Sequence, residues 1–411
     1  MALRIDNEQR FDCAGCARCC HAEVAITPAE RATYERERVG RWFRESDGAA
    51  EGAERDPFVP LTGRDGWFRI RRRADGTCGF LSAQNRCRLH EELGGERKPL
   101  VCRMFPFAVH ATEREPVLTA SFTCPTVASN EGRLVSEQVA ALGALSREWG
   151  RAFGALPRPF LFTAGRPMSG RALDGLRGGL ERLFAPAGDD VAAFARTLRR
   201  TAAWLDDLSR PRVVRLPPDD LAEYLIVTGR HVVESERQPP VRRASWFSRL
   251  GARGLLFISG ASEAQRRQPH ASGVKLGLRL RLLRLLLHAH GMGAATPELD
   301  IAARHHLRLD LAQSAPLLRR YLRASIATLG SGRRPVMAEL ARAAALSNLA
   351  IALGAMVAAR AGEGAIGAAS LREGLVRASD LDHVEGPLAA IVDSFAAGPE
   401  SFLLLAESLE A

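Results

Sequence analysis

The stretch that decides how this chain is organised is Cys13-Ala-Gly-Cys16-Ala-Arg-Cys19-Cys20, a C-x2-C-x2-C-C run near the N-terminus. A two-residue spacer lets two thiolates face one metal, and two such steps supply three corners of an iron–sulfur cube or of a zinc tetrahedron. Gly15 permits the tight turn that the first step needs. Because adjacent side chains tend to point apart, we do not expect Cys19 and Cys20 to bind the same atom. One of them closes a second site or simply packs.

The other four cysteines also lie in the first third of the chain: Cys78, Cys87, Cys102 and Cys124. In a reducing compartment, clustered thiols indicate metal ligands or redox groups before they indicate disulfides. Apolar residues surround them, as in Cys102-Arg-Met-Phe-Pro-Phe107, and would shield a cluster from water. We therefore predict all eight as metal ligands, in the order of preference Cys13, Cys16, Cys19 and Cys102, then Cys20, Cys78, Cys87 and Cys124. For His21, His90 and His110 we expect surface or supporting positions.

Composition excludes several classes of function. The net charge is +10, but the basic residues are spread along the chain and aromatic residues make up only 6%, which argues against nucleic-acid binding. The N-terminus has no apolar signal segment. The most apolar segment, Ala343–Ala359, contains Ser347 and Asn348, so we expect a buried core helix rather than a transmembrane span. These features predict a cytoplasmic protein.

The fold class predicted is mainly α: a small, irregular cysteine-rich metal module over residues 1–130, followed by an all-helical domain over residues 131–411. Breaks at Pro157-Arg-Pro159, Pro217-Pro218 and Pro239-Pro240 separate the helices. The predicted helices are 134–152, 170–184, 188–209, 218–236, 274–290, 297–330 (broken near Pro316), 335–360, 369–380 and 386–408 (broken near Pro399).

Within the metal module, local signals predict one helix and one hairpin. Thr27 with Glu30 three residues later forms a capping box, so a helix starts there and continues over 29–46. Trp67–Arg71 alternates like a strand, and Asp75-Gly76 predicts a hairpin turn leading to Cys78. Such a module has a thin core, so bound metal would supply much of its stability.

These residues carry a family resemblance. The chain resembles the YkgJ-type cysteine-cluster family, a zinc- or iron-chelating domain, over about residues 11 to 127. The matching pieces are Phe11–Cys20, Thr27–Glu30, Cys78–Leu81, Cys87 and Pro99–Phe107. The resemblance implies a metal cofactor held by cysteines.

A second resemblance extends further along the chain. Cys87–Gly94, followed by Pro99, Cys102 and Cys124–Ala128, is similar to the flagellin lysine N-methylase family, which also joins a cysteine cluster to a long helical remainder. The chain differs from that family in its first cysteine run and in the residues after Cys102. This resemblance implies S-adenosylmethionine as methyl donor, a lysine on a flagellin-like protein as acceptor, and an iron–sulfur cluster.

Three functions follow from these observations. The first is a metal-binding cysteine-cluster protein holding an iron–sulfur cluster, 4Fe–4S, with zinc second. The second is an S-adenosylmethionine-dependent protein lysine N-methyltransferase. The third is a structural zinc module on a helical interaction domain. Within the chain we find no P-loop, no G-x-S-x-G and no strand–turn–helix glycine motif, so the sequence names no catalytic residue.

Overall fold

The fold was analysed in a computed structural model. It describes residues 4–5, 8–43, 56–110, 116–153, 160–185, 190–235, 243–245, 255, 307–330, 334–383, 392–393 and 398–410. The α-helices in these ranges are α1 (Pro28–Arg36), α2 (Arg88–Leu93), α3 (Leu100–Met104), α4 (Pro125–Ser129), α5 (Val139–Phe153), α6 (Gly170–Leu183), α7 (Val191–Leu208), α8 (Pro211–Val214), α9 (Pro218–Glu234), α10 (Leu311–Ala327), α11 (Val336–Ala361), α12 (Ala368–Ser379) and α13 (Glu400–Glu410). The strands are β1 (Arg4–Ile5), β2 (Ala25–Ile26), β3 (Phe58–Pro60), β4 (Phe68–Ile70), β5 (Phe107–His110), β6 (Val117–Ala120), β7 (Phe160–Thr163) and β8 (Arg166–Met168). The mainly helical prediction is confirmed.

Two small sheets build the cysteine-rich part, where the sequence predicted one hairpin. In the first sheet β4 pairs antiparallel with both neighbours, in the order β2-β4-β3, and Phe58 lies opposite Ile70. In the second sheet the order is β1-β6-β5, with β1 parallel to β6. Strands β1 to β3 are two or three residues long, too short to show the alternation by which a strand is recognised in sequence.

The strand and turn predicted before Cys78 are present. Ile70 of β4 is buried in a small core with Ile26 and Phe80. After β4 the chain turns at Gly76, whose φ is 84°, and Arg72 forms an isolated antiparallel bridge with Cys78. The turn therefore sets the position of Cys78, as the sequence indicated.

Helix α1 starts as predicted but ends early. The Thr27 hydroxyl accepts a hydrogen bond from the Glu30 backbone N–H (3.1 Å), and the Glu30 carboxylate accepts one from the Thr27 N–H (2.8 Å). The predicted range 29–46 is too long: the helix ends at Arg36 because Arg38 adopts the left-handed conformation, with φ 53°. A short 3₁₀ helix, Val39–Trp42, follows.

Helix α11 is the centre of the helical part. It packs against α10, α12 and α13, and most of its residues are buried. It is the one described helix that is long and apolar enough to cross a membrane, and 78% of its apolar window is buried inside the protein. The prediction that Ala343–Ala359 belongs to a core helix is confirmed, and the buried position accounts for its composition. The cytoplasmic location stays a prediction.

Other helix predictions hold with one correction, and one β-hairpin was not predicted. Helices predicted from 134, 170, 188, 218, 335 and 369 are all present. The predicted break near Pro316 is wrong, because α10 continues through that residue. A proline inside a helix costs about 3 kcal/mol, and here the buried neighbours Ala315, Leu317 and Leu318 provide compensating packing. The antiparallel hairpin β7–β8 was not predicted.

Some predicted elements fall on residues that the structure does not describe. The helix predicted over 274–290 lies outside the described residues, as does the start of the helix predicted over 297–330. Of the helix predicted over 386–408, the part after Pro399 is α13.

Contacts cross the predicted domain boundary at residue 130. Phe122, Cys124, Val127 and Ala128 belong to the same hydrophobic core as the helices that follow. Helix α12 packs on α4, which starts directly after Cys124. The division into 1–130 and 131–411 stays a prediction, and the last cysteine lies where the two parts meet.

The tightest helix contact gives a test of the helical core. A Cβ added at Gly374 of α12 would overlap the Ala350 carbonyl oxygen and lie 2.6 Å from the Gly354 nitrogen. We expect Gly374→Ala to lower the free energy of unfolding by about 1–3 kcal/mol, because neither backbone can yield. Urea unfolding measures this change.

The matched control is Gly178→Ala in α6, whose added Cβ would meet only the Arg182 Nη1 at 3.4 Å. We expect this variant to unfold as the wild type does, or to gain about 0.5–1 kcal/mol. Equal unfolding midpoints for both glycine variants would contradict the close α11–α12 contact.

Candidate metal centre

All eight cysteines line one cavity of about 1060 Å³. They reach it from five separate segments of the chain, each with its own backbone support. The eight residues are Cys13, Cys16, Cys19, Cys20, Cys78, Cys87, Cys102 and Cys124. Tertiary structure thus brings the complete set to a common space. Which of them bind metal stays a prediction.

The first cysteine run turns tightly around the edge of the cavity. Gly15 and Ala17 both have positive φ, 66° and 60°, and the 3₁₀ helix Arg18–His21 follows, with the Cys20 N–H donating to the Ala17 carbonyl at 2.9 Å. The left-handed turn expected at Gly15 is present. Cys13, Cys16 and Cys19 are exposed, so their side chains have room to rotate.

Three cysteines reach the cavity from the small core below the first sheet. The Cys78 N–H donates to the Cys20 carbonyl at 2.8 Å, which joins the turn after β4 to the first run. Cys87 is the residue immediately before α2, and Cys102 lies within α3. All three pack against the core that contains Phe80.

Cys124 reaches the cavity from the helical core. It is the residue before α4, whose first residue is Pro125. The backbone N–H groups of Thr126 and Val127 act to lower the pKa of its thiol. Proline is favoured at the first helical position because it lacks the N–H that would go unpaired there. The sulfur is thus held at a helix N-terminus, a position that stabilises a thiolate.

Burial and neighbouring sulfurs set the charge of the thiols. Burial raises the pKa of Cys78 to about 11, against the lowering effect of the Phe80 N–H. Burial also raises the pKa of Cys102, and the nearby Cys78 adds to the shift. Burial is again the main cause of the raised pKa of Cys124. Each of these thiols would hold a proton at neutral pH unless a cation stabilised the thiolate.

Cys19 and Cys20 interact directly, and whether they bind the same atom stays a prediction. The Cys20 thiol donates a hydrogen bond to the Cys19 sulfur, which lowers the pKa of Cys19 and raises that of Cys20. Lys98 contributes further to the lowering at Cys19. The tight turn of the 3₁₀ helix is what brings these adjacent side chains to the same side.

The histidines take different positions. His90 lines the cavity, whereas His21 and His110 are not among its lining residues. The His110 Nε2 lies 2.9 Å from the Thr119 hydroxyl, and burial lowers its pKa to about 4. His110 therefore stays neutral in the protein interior, as a packed and hydrogen-bonded side chain.

Helix α5 forms a wall of the cavity that the sequence did not reveal. Ala141, Leu142, Leu145 and Glu148 line it from one face of the helix. Arg103, next to Cys102, donates to the Glu148 carboxylate from both terminal nitrogens, with Nη1 at 3.0 Å. The two residues are distant in sequence, so no local pattern could have paired them.

The donor set fits a thiolate-bound metal, although the sulfurs do not converge. Sulfur is the only ligand type that the five segments share, buried Val24 and Leu89 line the cavity, and backbone N–H groups favour the thiolate forms of Cys78 and Cys124. Within the described residues, no three Cys, His, Asp or Glu side chains meet as ligands of one ion. Binding of a metal by these cysteines therefore requires rotation of their side chains.

Comparison with known proteins agrees with the cysteine pattern. Residues 12–125 match the CxxCxxCC family model, described as "Putative zinc- or iron-chelating domain". No curated protein and no solved structure matches the chain. The family match supports metal binding by the N-terminal part and ends before the long helices. The similarity to flagellin lysine N-methylases stays a prediction.

The charge differences among the thiols predict their reactivity. In chelator-treated protein at pH 7, we expect iodoacetamide to modify Cys19 early, because its pKa is lowered and its side chain is exposed. Cys78 should react only as the pH approaches its pKa of about 11. Mass spectrometry of peptides after timed alkylation measures both rates.

Cys20→Ala is the control for the shared hydrogen bond. This substitution removes the hydrogen-bond donor, so Cys19 should need a higher pH to reach the same rate of alkylation. Equal rates for Cys19 and Cys78 at pH 7 would show that the pair is not hydrogen-bonded as described.

Proposed function

Because residues 12–125 match the model of a zinc- or iron-chelating domain, we propose that the thiolates of this part of the chain hold an iron–sulfur cluster of the 4Fe–4S type, with zinc as the second candidate. The cluster ligands come from the eight cysteines around the cavity. When bound, such a group supplies electron transfer or Lewis-acid chemistry. The chain supplies its attachment, shielding and charge balance.

The observation that carries the proposal is that eight cysteines from five segments line one large cavity. A zinc ion draws four ligands to about 2.3 Å of one point, and the described residues do not converge in that way. A cluster of several iron atoms lets each thiolate bind a different iron, so its ligands stay further apart. The cavity volume of about 1060 Å³ is ample for such a group.

The surrounding residues suit an anionic group. Lys98 favours the thiolate forms of both Cys19 and Cys102, and it is one of only two lysines in the chain. Backbone N–H groups near Cys78 and Cys124 favour the thiolate forms of these residues, and N–H groups that donate to cluster sulfurs tune the reduction potential of a cluster. Buried Leu89 and the other apolar walls keep water away.

A second candidate is an S-adenosylmethionine-dependent protein lysine methyltransferase, as the flagellin methylase resemblance implies. One observation favours it: the cavity extends from the cysteines to helix α5, where Ala144 and Arg151 line it. Its volume of about 1060 Å³ is slightly above the usual range of small-molecule sites, about 300–1,000 Å³. A co-substrate could then bind next to the metal, with a surface lysine of a partner protein at the opening.

The first experiment is anaerobic purification with assays for iron, acid-labile sulfide and zinc on one sample. We expect a brown protein with absorption near 400 nm and iron equal to sulfide, because thiolate-bound iron absorbs there. The control is a variant in which all eight cysteines are replaced by serine, which should be colourless. A colourless wild type with stoichiometric zinc would contradict the iron–sulfur proposal and favour a structural zinc module that supports a helical interaction domain.

The methyltransferase candidate predicts that S-adenosylmethionine binds in the cavity. Ala144→Trp fills the space beside α5, so it should weaken binding at least tenfold in isothermal titration calorimetry. Val227→Trp is the matched control, because Val227 is exposed on α9 and outside the lining. The candidate fails if the metal-loaded wild type shows no heat of binding.

A further inference from the structure

The eight cysteines divide into two sets by the part of the protein that holds them. One set belongs to the first sheet and its core and consists of Cys20, Cys78, Cys87 and Cys102. The Cys78 N–H donates to the Cys20 carbonyl, and Cys78, Cys87 and Cys102 pack against the core that contains Phe80. Cys19 acts electrostatically on Cys20, Cys78 and Cys102, and the four sulfurs of the sheet side also influence one another. They form the first set.

The second set is held by the helical core and by the chain next to Arg133. Cys124 is buried in the core of the helical part, and the charge of Cys16 acts on it. Cys13 follows Asp12, which binds the Arg133 guanidinium at 2.8 Å, and Phe11 donates to the Arg133 carbonyl at 2.9 Å. The start of the first run is therefore fixed beside the chain that leaves α4.

Cys19 lies at the border between the sets. It follows Cys16 at the same two-residue spacing as Cys16 follows Cys13, and its sulfur is hydrogen-bonded to Cys20 of the first set. Its exposure lets it turn to the second set. If Cys19 is counted with the second set, each of the two sets contains four thiols.

We propose that the cavity holds two metal centres side by side, one bound by Cys20, Cys78, Cys87 and Cys102 and the other by Cys13, Cys16, Cys19 and Cys124. This inference rests on the proposed function and adds the number of centres and the ligands of each. A single cluster or a single zinc ion uses four thiolates, so one centre would leave four thiols in the same cavity without a metal. Two centres use all eight.

The two centres differ in what they stabilise. The second centre is attached to the helical part through Cys124 and through Arg18, whose guanidinium lies 2.8 Å from the Asp380 carboxylate after α12. The first centre is attached to the sheet β2-β4-β3 and its core. Removing the second centre should therefore destabilise the helical part, and removing the first should not.

The test counts metal in three forms of the full-length chain after anaerobic reconstitution. The wild type should hold about eight iron and eight sulfide per chain, or about two zinc ions. Cys20→Ala with Cys87→Ala removes two ligands of the first centre, and Cys13→Ala with Cys16→Ala removes two of the second. Each double variant is the control of the other, and each should keep half of the metal.

Several results would overturn the inference. A wild type with one cluster or one zinc ion, or a double variant that keeps all or loses all of its metal, shows that the thiols do not form two centres. The wild-type count does not depend on the folding of any variant. A wild type that binds no metal overturns the proposed function as well, whereas a single centre overturns only this inference.

The second measurement is the thermal stability of the helical part. Circular dichroism at 222 nm during heating should show a lower midpoint for the Cys13→Ala, Cys16→Ala variant than for the Cys20→Ala, Cys87→Ala variant. Equal midpoints would show that the second set is not coupled to the helical part.

Discussion

The constraint on which the N-terminal part depends is the burial of sulfur. Burial raises the pKa of Cys78 to about 11 and raises that of Cys102 as well, because an uncompensated thiolate is unstable away from water. A bound cation removes that cost and joins segments that share only short strands and a small core. Metal binding and folding of this part are therefore expected to be linked.

The helical part does more than extend the chain. Helix α5 forms a wall of the cavity, and the helical core surrounds Cys124. Arg320 of α10 donates to the carbonyls of Val127 and Ala128, at 3.3 and 2.8 Å, so it caps the helix that starts after Cys124. The position of this sulfur thus depends on packing far away in sequence.

Both candidate functions place their site in this cavity, but they require different parts of it. An iron–sulfur or zinc centre needs only the thiols and their shielding. A methyltransferase also needs the space between the thiols and α5, where the Arg103–Glu148 ion pair and Arg151 lie. Two metal centres would use all of the sulfur and leave the α5 side of the cavity for a ligand.

The sequence alone determined the ligand type, because cysteines at two-residue spacing are recognisable without a fold, and it determined most helices through their apolar periodicity and caps. The capping box at Thr27 and the turn at Gly76 are local and were correctly predicted. Only tertiary structure decided that five separate segments share one cavity and that α5 forms one of its walls. It also decided that the thiols of Cys19 and Cys20 interact and that Pro316 lies within a helix. These features depend on contacts between residues distant in sequence, whose energies no local pattern encodes.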